Sequence, residues 1–280
     1  MREVPAAAVT KAVAKLCMEA NYYLSDDIKG SFLSALETET EPLSRDIFNM
    51  LLQNAEIAAE KMIPICQDTG MAVVFVEIGQ QVCVTGGDLT EAINFGVAGG
   101  YTEGYLRKSV VADPIRRSNT GDNTPAIIHY QIVAGDGLKI TVAPKGFGSE
   151  NMSTLKMLKP SDGIQGVKDF VVETVRQAGP NPCPPIIVGV GIGGTMEKAA
   201  LMAKQGLLRE IGTEQPDPYW HTIEQELLTE LNQLGIGPAG LGGATTALAV
   251  HINTFATHIA GLPVAVNIGC HVTRHATANL

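Results

Sequence analysis

Apolar residues recur at three- and four-residue spacing through the first sixty positions, most clearly over Asp26–Glu37 and Ser44–Met62. That spacing predicts helices. Pro5 suits a helical first turn, and Val9, Val13, Leu16, Cys17 and Ala20 share one face of the segment after it. The pattern changes at Pro64. Met71–Ile78 is a β-favouring run interrupted only by Glu77, with a short strand expected at Val82–Val84. Asp88 followed by Glu91 resembles a capping pair and opens a helix expected to reach toward Arg107. Ala126–Val133 and Leu138–Val142 read as strands, and the Gly-Asp-Gly between them predicts a hairpin. Beyond Pro160 the pattern alternates: a helix at Gly163–Gln177, a strand at Ile186–Gly189 and a helix at Thr195–Leu208. A polar helix at Tyr219–Leu234, an apolar helix at Thr245–Ile259 and a last strand at Pro263–Ile268 follow. The expected class is α+β, a helical N-terminal part followed by mixed sheet covered by helices. The expected organisation is one catalytic domain over residues 1–280, with the helical segment 1–62 packed on it.

Composition narrows the partners. The 280 residues carry a net charge of −9, which argues against nucleic acid or an anionic membrane as the main partner. Hydrophobic residues make up 45% and charged residues 18%, so a lightly charged surface partly covered by another chain is expected. The N-terminus lacks the pattern of a signal peptide. The uncharged stretch after Leu234 is broken by Gly, Thr, Asn, His and Pro and makes a poor membrane span. A soluble, cytoplasmic protein is the expectation.

Five cysteines form an odd number in a long chain without secretory features, which disfavours a disulfide framework. Cys17 lies on an apolar helical face and Cys83 between two valines, so both read as small buried hydrophobes. Cys66, Cys183 and Cys270 sit elsewhere: in Ile-Cys-Gln-Asp-Thr-Gly, in Asn-Pro-Cys-Pro-Pro and in Asn-Ile-Gly-Cys-His. Rigid loops with polar neighbours suit metal ligation better than core packing, and soft thiolates suit zinc or an iron–sulfur cluster. Asp68 could hold a proton beside such a metal, although an Asp before Thr-Gly also suits a plain turn. His258, His271 and His275 lie near Cys270, His251 is expected on the Ala-rich helix, and His129 and His221 read as strand or surface residues. Residues 189–194 match Gly-x-Gly-x-x-Gly, but residues 235–240 match it too, and the acid expected about twenty residues later is missing. The glycines read better as a close approach between a strand-to-helix turn and a neighbouring group. Gly-Leu-Gly-Gly-Ala-Thr-Thr at 240–246 resembles 189–195 and is likewise expected to open into an Ala-rich helix.

Several motifs together resemble one family: Ile-Cys-Gln-Asp-Thr-Gly, residues 101–109, 119–126 and 144–151, and the Cys270 segment, in this order. The chain is similar to the α subunit of two-subunit, iron–sulfur class I fumarate hydratases and to the related L-tartrate dehydratase α subunit. The resemblance implies a [4Fe–4S] cluster on Cys66, Cys183 and Cys270 whose fourth iron contacts substrate. It implies that Gln67, Arg107 and the backbone at Gly148 hold a dicarboxylate, and that Asp68, paired with His258, protonates the departing hydroxyl. Physical chemistry agrees with those roles. An arginine offers a bidentate fork to a carboxylate, and glycines let backbone N–H groups approach an anion. Single-chain relatives carry a further C-terminal domain with more cations and a threonine base. Here a β subunit of about one domain is expected to complete the site in a hetero-oligomer, α2β2. The expected activity is reversible hydration of fumarate to (S)-malate. Tartrate dehydration to oxaloacetate is the closest rival, and a non-catalytic iron–sulfur or zinc protein a more distant one.

Overall fold

The computed structural model describes residues 1–280. In chain order the elements are β1 (Arg2–Pro5), α1 (Ala6–Tyr22), α2 (Asp26–Thr38), α3 (Pro42–Lys61), β2 (Met71–Gly79), β3 (Val82–Thr85), α4 (Leu89–Glu103), β4 (Ile127–Val133) and β5 (Leu138–Lys145). Then come α5 (Phe147–Glu150), β6 (Thr154–Leu158), α6 (Gly163–Ala178), β7 (Ile186–Gly193), α7 (Met196–Gly206), α8 (Pro218–Asn232), β8 (Ala247–Phe255), β9 (Leu262–Gly269) and β10 (Ala276–Asn279). The class is α+β. No helix is long and apolar enough to cross a membrane. The chain divides into two compact units: residues 1–24, 54–147 and 274–280, and residues 25–53 and 148–273. The first sixty residues are therefore shared between the units.

The first unit holds a mixed sheet in the order β10-β5-β2-β4. One face, with Val74, Val76, Ile140 and Val142, is buried under α1 and α4. The other carries an ion pair between Lys139 and Glu77 (2.7 Å) and a ring stack between Phe75 and His129. In the sequence only Glu77 marks the polar face, and β2 is legible as a β-favouring run of Val, Phe and Ile. The expected hairpin does not form: β4 pairs parallel with β2 and β5 pairs antiparallel with β2, so β2 lies between them. Asp88 caps α4 as expected, its side chain accepting from the Glu91 N–H. The helix stops at Glu103, short of Arg107, with Gly104 as its C-cap. β1, absent from the expected elements, pairs parallel with β3, and Pro5 stands as the N-cap of α1. Cys83, expected to be buried, is half-buried on β3.

The second unit holds a sheet in the order β6-β9-β7-β8, covered on both faces. Val188, Val190, Val250, Ile252, Val264 and Val266 pack with α6 and α8 residues such as Val171, Leu227 and Leu231. Each fully buried side chain of this kind contributes about 1.5–3 kcal/mol relative to exposure. On the other face α7 lies close because β7 supplies glycines: a Cβ on Gly191 would stand 2.0 Å from the Ala199 carbonyl oxygen. That is the close approach expected of the Gly-x-Gly-x-x-Gly stretch. Arg209 pairs with buried Glu224 (2.6 Å), which also accepts from the Ile252 N–H and so ties α8 to β8.

Residues 247–255 are a strand where an apolar helix was expected, so 240–246 does not open into a helix. With both faces covered, β8 shows no polar alternation, and a short apolar run of that kind does not separate strand from helix. His251 accordingly lies on a strand. Its Nδ1–H donates to the Gly206 carbonyl (2.8 Å) in a buried position. β6 and β10 were not foreseen either. Both are edge strands of four or five residues with few fully buried side chains.

Candidate active site

The Ile65–Gly70 segment in the first unit is fixed at both ends, at Ile65 and over Asp68–Gly70. The Ile65 N–H donates to the Asn21 carbonyl (2.9 Å), and its own carbonyl accepts from Asn54 Nδ2 (2.8 Å). Thr69 Oγ1 donates to the Arg107 carbonyl (3.1 Å). The buried Tyr101 hydroxyl bridges the Thr69 and Gly70 carbonyls at 2.7 and 3.1 Å. Burial pushes the Tyr101 phenol far up, which keeps it a donor at any ordinary pH. Gly70 has φ +73°, and a Cβ there would lie 2.7 Å from the Lys145 backbone, so only glycine fits.

Asp68 supplies the one carboxylate of this loop. Its Oδ1 accepts from the Gly70 N–H (3.0 Å) and its Oδ2 from the Phe147 N–H (2.9 Å). Buried Arg274 donates to the Asp68 carbonyl. The carboxylate is thus aimed by two backbone donors while remaining half-exposed. Cys66 is also half-buried, with its sulfur 3.5 Å from Gln67 Oε1, and Gln67 is exposed. Arg107 stands beyond the end of α4, its backbone held by Thr69 and its guanidinium exposed. That segment is braced by Asn123, fully buried in a left-handed conformation (φ 65°). Its Oδ1 accepts from the Ser109 and Val110 N–H groups and its Nδ2 donates to the Gly70 carbonyl.

In the second unit Cys183 and Cys270 come together at one end of the sheet. Cys183 precedes β7, Cys270 follows β9, and Ile187 pairs with Gly269 between them. The Cys183 carbonyl accepts from the His271 N–H (3.2 Å) and from His271 Nδ1–H (3.0 Å). Cys183 has φ +54° and an exposed side chain, and Cys270 is half-buried. Gly148, on the short helix α5, is exposed and lies beside Asn181: a Cβ there would stand 3.5 Å from the Asn181 carbonyl oxygen. Glu150 of the same helix pairs with Lys204 and accepts from Asn267 Nδ2, which fastens α5 to α7 and β9. His258 sits in the exposed turn after β8, where its Nδ1 accepts from the Ala260 N–H (3.2 Å), leaving Nε2 to carry the proton of the neutral ring. It lines an apolar cavity of about 390 Å³ with Ile164, Trp220 and Leu262.

Within neither unit do three His, Cys, Asp or Glu side chains stand in a metal-holding arrangement. The thiols nevertheless differ in kind. Burial pushes the Cys17 thiol up to about 12, which makes it inert. Cys66, Cys183 and Cys270 are all solvent-accessible on loops locked by backbone hydrogen bonds, a donor chemistry that suits a soft metal or an iron–sulfur cluster. Tyr101, Asn123 and Arg274 do not stand out in the sequence as members of this site. Residues 119–126 and 101–109 do stand out as motifs, but their partners lie tens of residues away.

Comparison with known proteins agrees with this constellation. The sequence profile of the fumarate hydratase (Fumerase) family matches residues 10–279. A protein of Methanocaldococcus jannaschii, provisionally named as an L(+)-tartrate dehydratase subunit alpha, is 43% identical over 273 residues, covering 96% of each chain. The L(+)-tartrate dehydratase subunit alpha of Escherichia coli strain UTI89 is 32% identical over 272 residues, covering 96% of this chain and 89% of its own. With its profile match and these two relatives over nearly its whole length, the chain belongs to the fumarate hydratase (Fumerase) family of hydro-lyases.

Proposed function

We propose that this chain is the α-type subunit of an iron–sulfur hydro-lyase that reversibly hydrates fumarate to (S)-malate. The observation that carries the reading is the Cys66–Asp68 loop, which presents a thiol and a carboxylate on one immobilised backbone. Cys66, Cys183 and Cys270 would hold a [4Fe–4S] cluster. When bound, that group supplies a Lewis acid for the hydroxyl and carboxylate of the substrate.

The chain's own residues supply the rest. Asp68, fixed by the Gly70 and Phe147 N–H groups, gives the proton to the departing hydroxyl oxygen and takes it back in hydration. His258 serves as its proton partner. The exposed guanidinium of Arg107 takes one carboxylate in a bidentate contact, with Gln67 and the backbone N–H at Gly148 as further donors. A second cationic clamp and the base that removes the carbon-bound proton belong to a β subunit, in an α2β2 assembly in the cytoplasm. The relatives' names, which end in "subunit alpha", support a partner of this kind.

A second reading, dehydration of L-tartrate, is favoured by the same names. Anaerobic reconstitution of this chain, with and without its β partner, decides between them. Turnover of malate and fumarate with the partner present, little turnover of tartrate, and near-silence of the α chain alone are expected. Preference for tartrate would reassign the substrate. Full malate dehydration by the α chain alone would sink the shared-site reading.

A further inference from the structure

We infer that Glu39 is a positioning residue for the Cys183 loop, acting through the glycine-rich turn at 237–244. The inference rests on the reading of Cys183 as a ligand only for its consequence in metal binding. The mechanical link stands on geometry within the second unit.

Glu39 lies at the joint between α2 and α3 and is 3% exposed. Its Oε1 accepts from the Thr40 and Glu41 N–H groups at 3.0 and 3.1 Å, and its Oε2 from the Ala244 N–H at 2.8 Å. Ser44, also buried, donates from Oγ to the Gly242 carbonyl (2.6 Å). The carboxylate and hydroxyl thus hold a turn some 200 residues away in sequence. A buried carboxylate taking three backbone donors makes charge-assisted bonds, stronger than neutral ones. Its removal would leave N–H groups unsatisfied in a buried site.

The turn passes this hold to the cysteine. The Gly242 N–H donates to the Ile236 carbonyl, and the Ala239 N–H donates to the Pro184 carbonyl at 2.8 Å. Gly240 lies so close to Pro180 that a Cβ would stand 2.2 Å from the proline Cβ. The Cys183 N–H in turn donates to the Pro180 carbonyl (3.0 Å). The residues on either side of Cys183 therefore rest on the turn, while the Cys183 carbonyl rests on His271. Thr246 Oγ1 and Asn232 Oδ1, each accepting two N–H groups, close the turn from its far side. This gives a role to two features that the catalytic reading leaves unused, the 240–246 glycine stretch and the α2–α3 joint.

The test uses the reduced, metal-free full chain and site-resolved amide exchange, followed by reconstitution. Glu39→Ala should speed exchange of the Ala239 and Cys183 amides about tenfold or more, the scale of a lost hydrogen bond to a charged group. Thiol alkylation at Cys183 should change, while exchange at Gly70 and alkylation at Cys66 stay as in the parent. Glu39→Gln, which keeps the shape and one acceptor, should lie between. Ser44→Ala should show a smaller change of the same pattern, and it carries the test if Glu39→Ala does not fold. Faster exchange confined to residues 242–246, or spread evenly over the second unit, would overturn the proposal. Iron content after reconstitution should fall in the same order as the exchange effect. If Cys183→Ser retained four irons, the ligand reading would fail while the exchange result still decided the link.

Discussion

The two four-stranded sheets are wound alike. In the first unit β10 pairs antiparallel with β5, β5 antiparallel with β2, and β2 parallel with β4. In the second unit β6, β9, β7 and β8 repeat those relations in the same order. In each, a candidate site loop enters the inner strand that carries the parallel neighbour, Cys66–Asp68 before β2 and Cys183 before β7. Another leaves the adjacent antiparallel strand, Gly146–Phe147 after β5 and Cys270 after β9. The site segments thus fall at equivalent corners, and the difference between the corners is chemical. The first has one thiol with an aimed carboxylate; the second has two thiols and no acid of that kind. On the proposed reading, the first corner performs proton transfer and the second mainly anchors metal.

The largest effects should come from the thiols, because they test whether both corners serve one cluster. Cys66→Ser, Cys183→Ser and Cys270→Ser should each remove the brown colour and the activity after anaerobic reconstitution. Cys17→Ser and Cys83→Ser should keep both, losing at most some stability. A Cys183→Ser protein that still held four irons would separate the two corners.

Asp68→Asn probes the chemical difference directly. The amide preserves the shape of the side chain and can still take one N–H, but it cannot give or take the proton. A fall in kcat of roughly 10²–10⁴-fold is expected, with the cluster spectrum intact and malate still perturbing it. His258→Asn should lose less and should alter the pH profile. A rise in KM at unchanged kcat would move Asp68 from chemistry to positioning.

These corners were unequally legible in the sequence. The Cys66–Asp68 loop stands out because its polar triplet follows a helix and opens a strand. Its supports do not, since Tyr101, Asn123 and Arg274 reach it across 31 to 206 residues and resemble ordinary core or loop residues alone. The same physics governs the fold. β2 is readable because β-branched and aromatic residues, Val73 to Val76 and Ile78, dominate it. β8 is not, because it opens Ala-rich and, covered by α7 on one side and α8 on the other, shows no regular polar alternation. The Gly-Asp-Gly turn at 135–137 suggests a hairpin because local turn chemistry says nothing about which strand will insert between the two it joins. That insertion depends on pairing with β2, more than fifty residues earlier.

The smallest effect concerns stability and belongs to the second unit alone. His251 sits on β8, buried between the sheet and α7. Burial first, and the Arg209 charge second, lower its pKa from 6.5 to about 4, opposed by the Gly206 hydrogen bond and the Asp27 charge. The unfolded chain takes up a proton as the pH falls through 6.5, whereas the folded chain does not until about 4. The unfolded state therefore binds more protons in that window, and stability must rise with pH across it. The contribution is fully present above 6.5 and lost progressively toward 4, by about 3 kcal/mol at most. Denaturant unfolding at pH 7, 5.5 and 4.5 measures it. His251→Asn should cost about 1 kcal/mol at pH 7 through the altered bond to Gly206, yet flatten the acid limb by removing the titrating ring. An unchanged slope between pH 6.5 and 4 in that variant would assign the acid sensitivity to other groups.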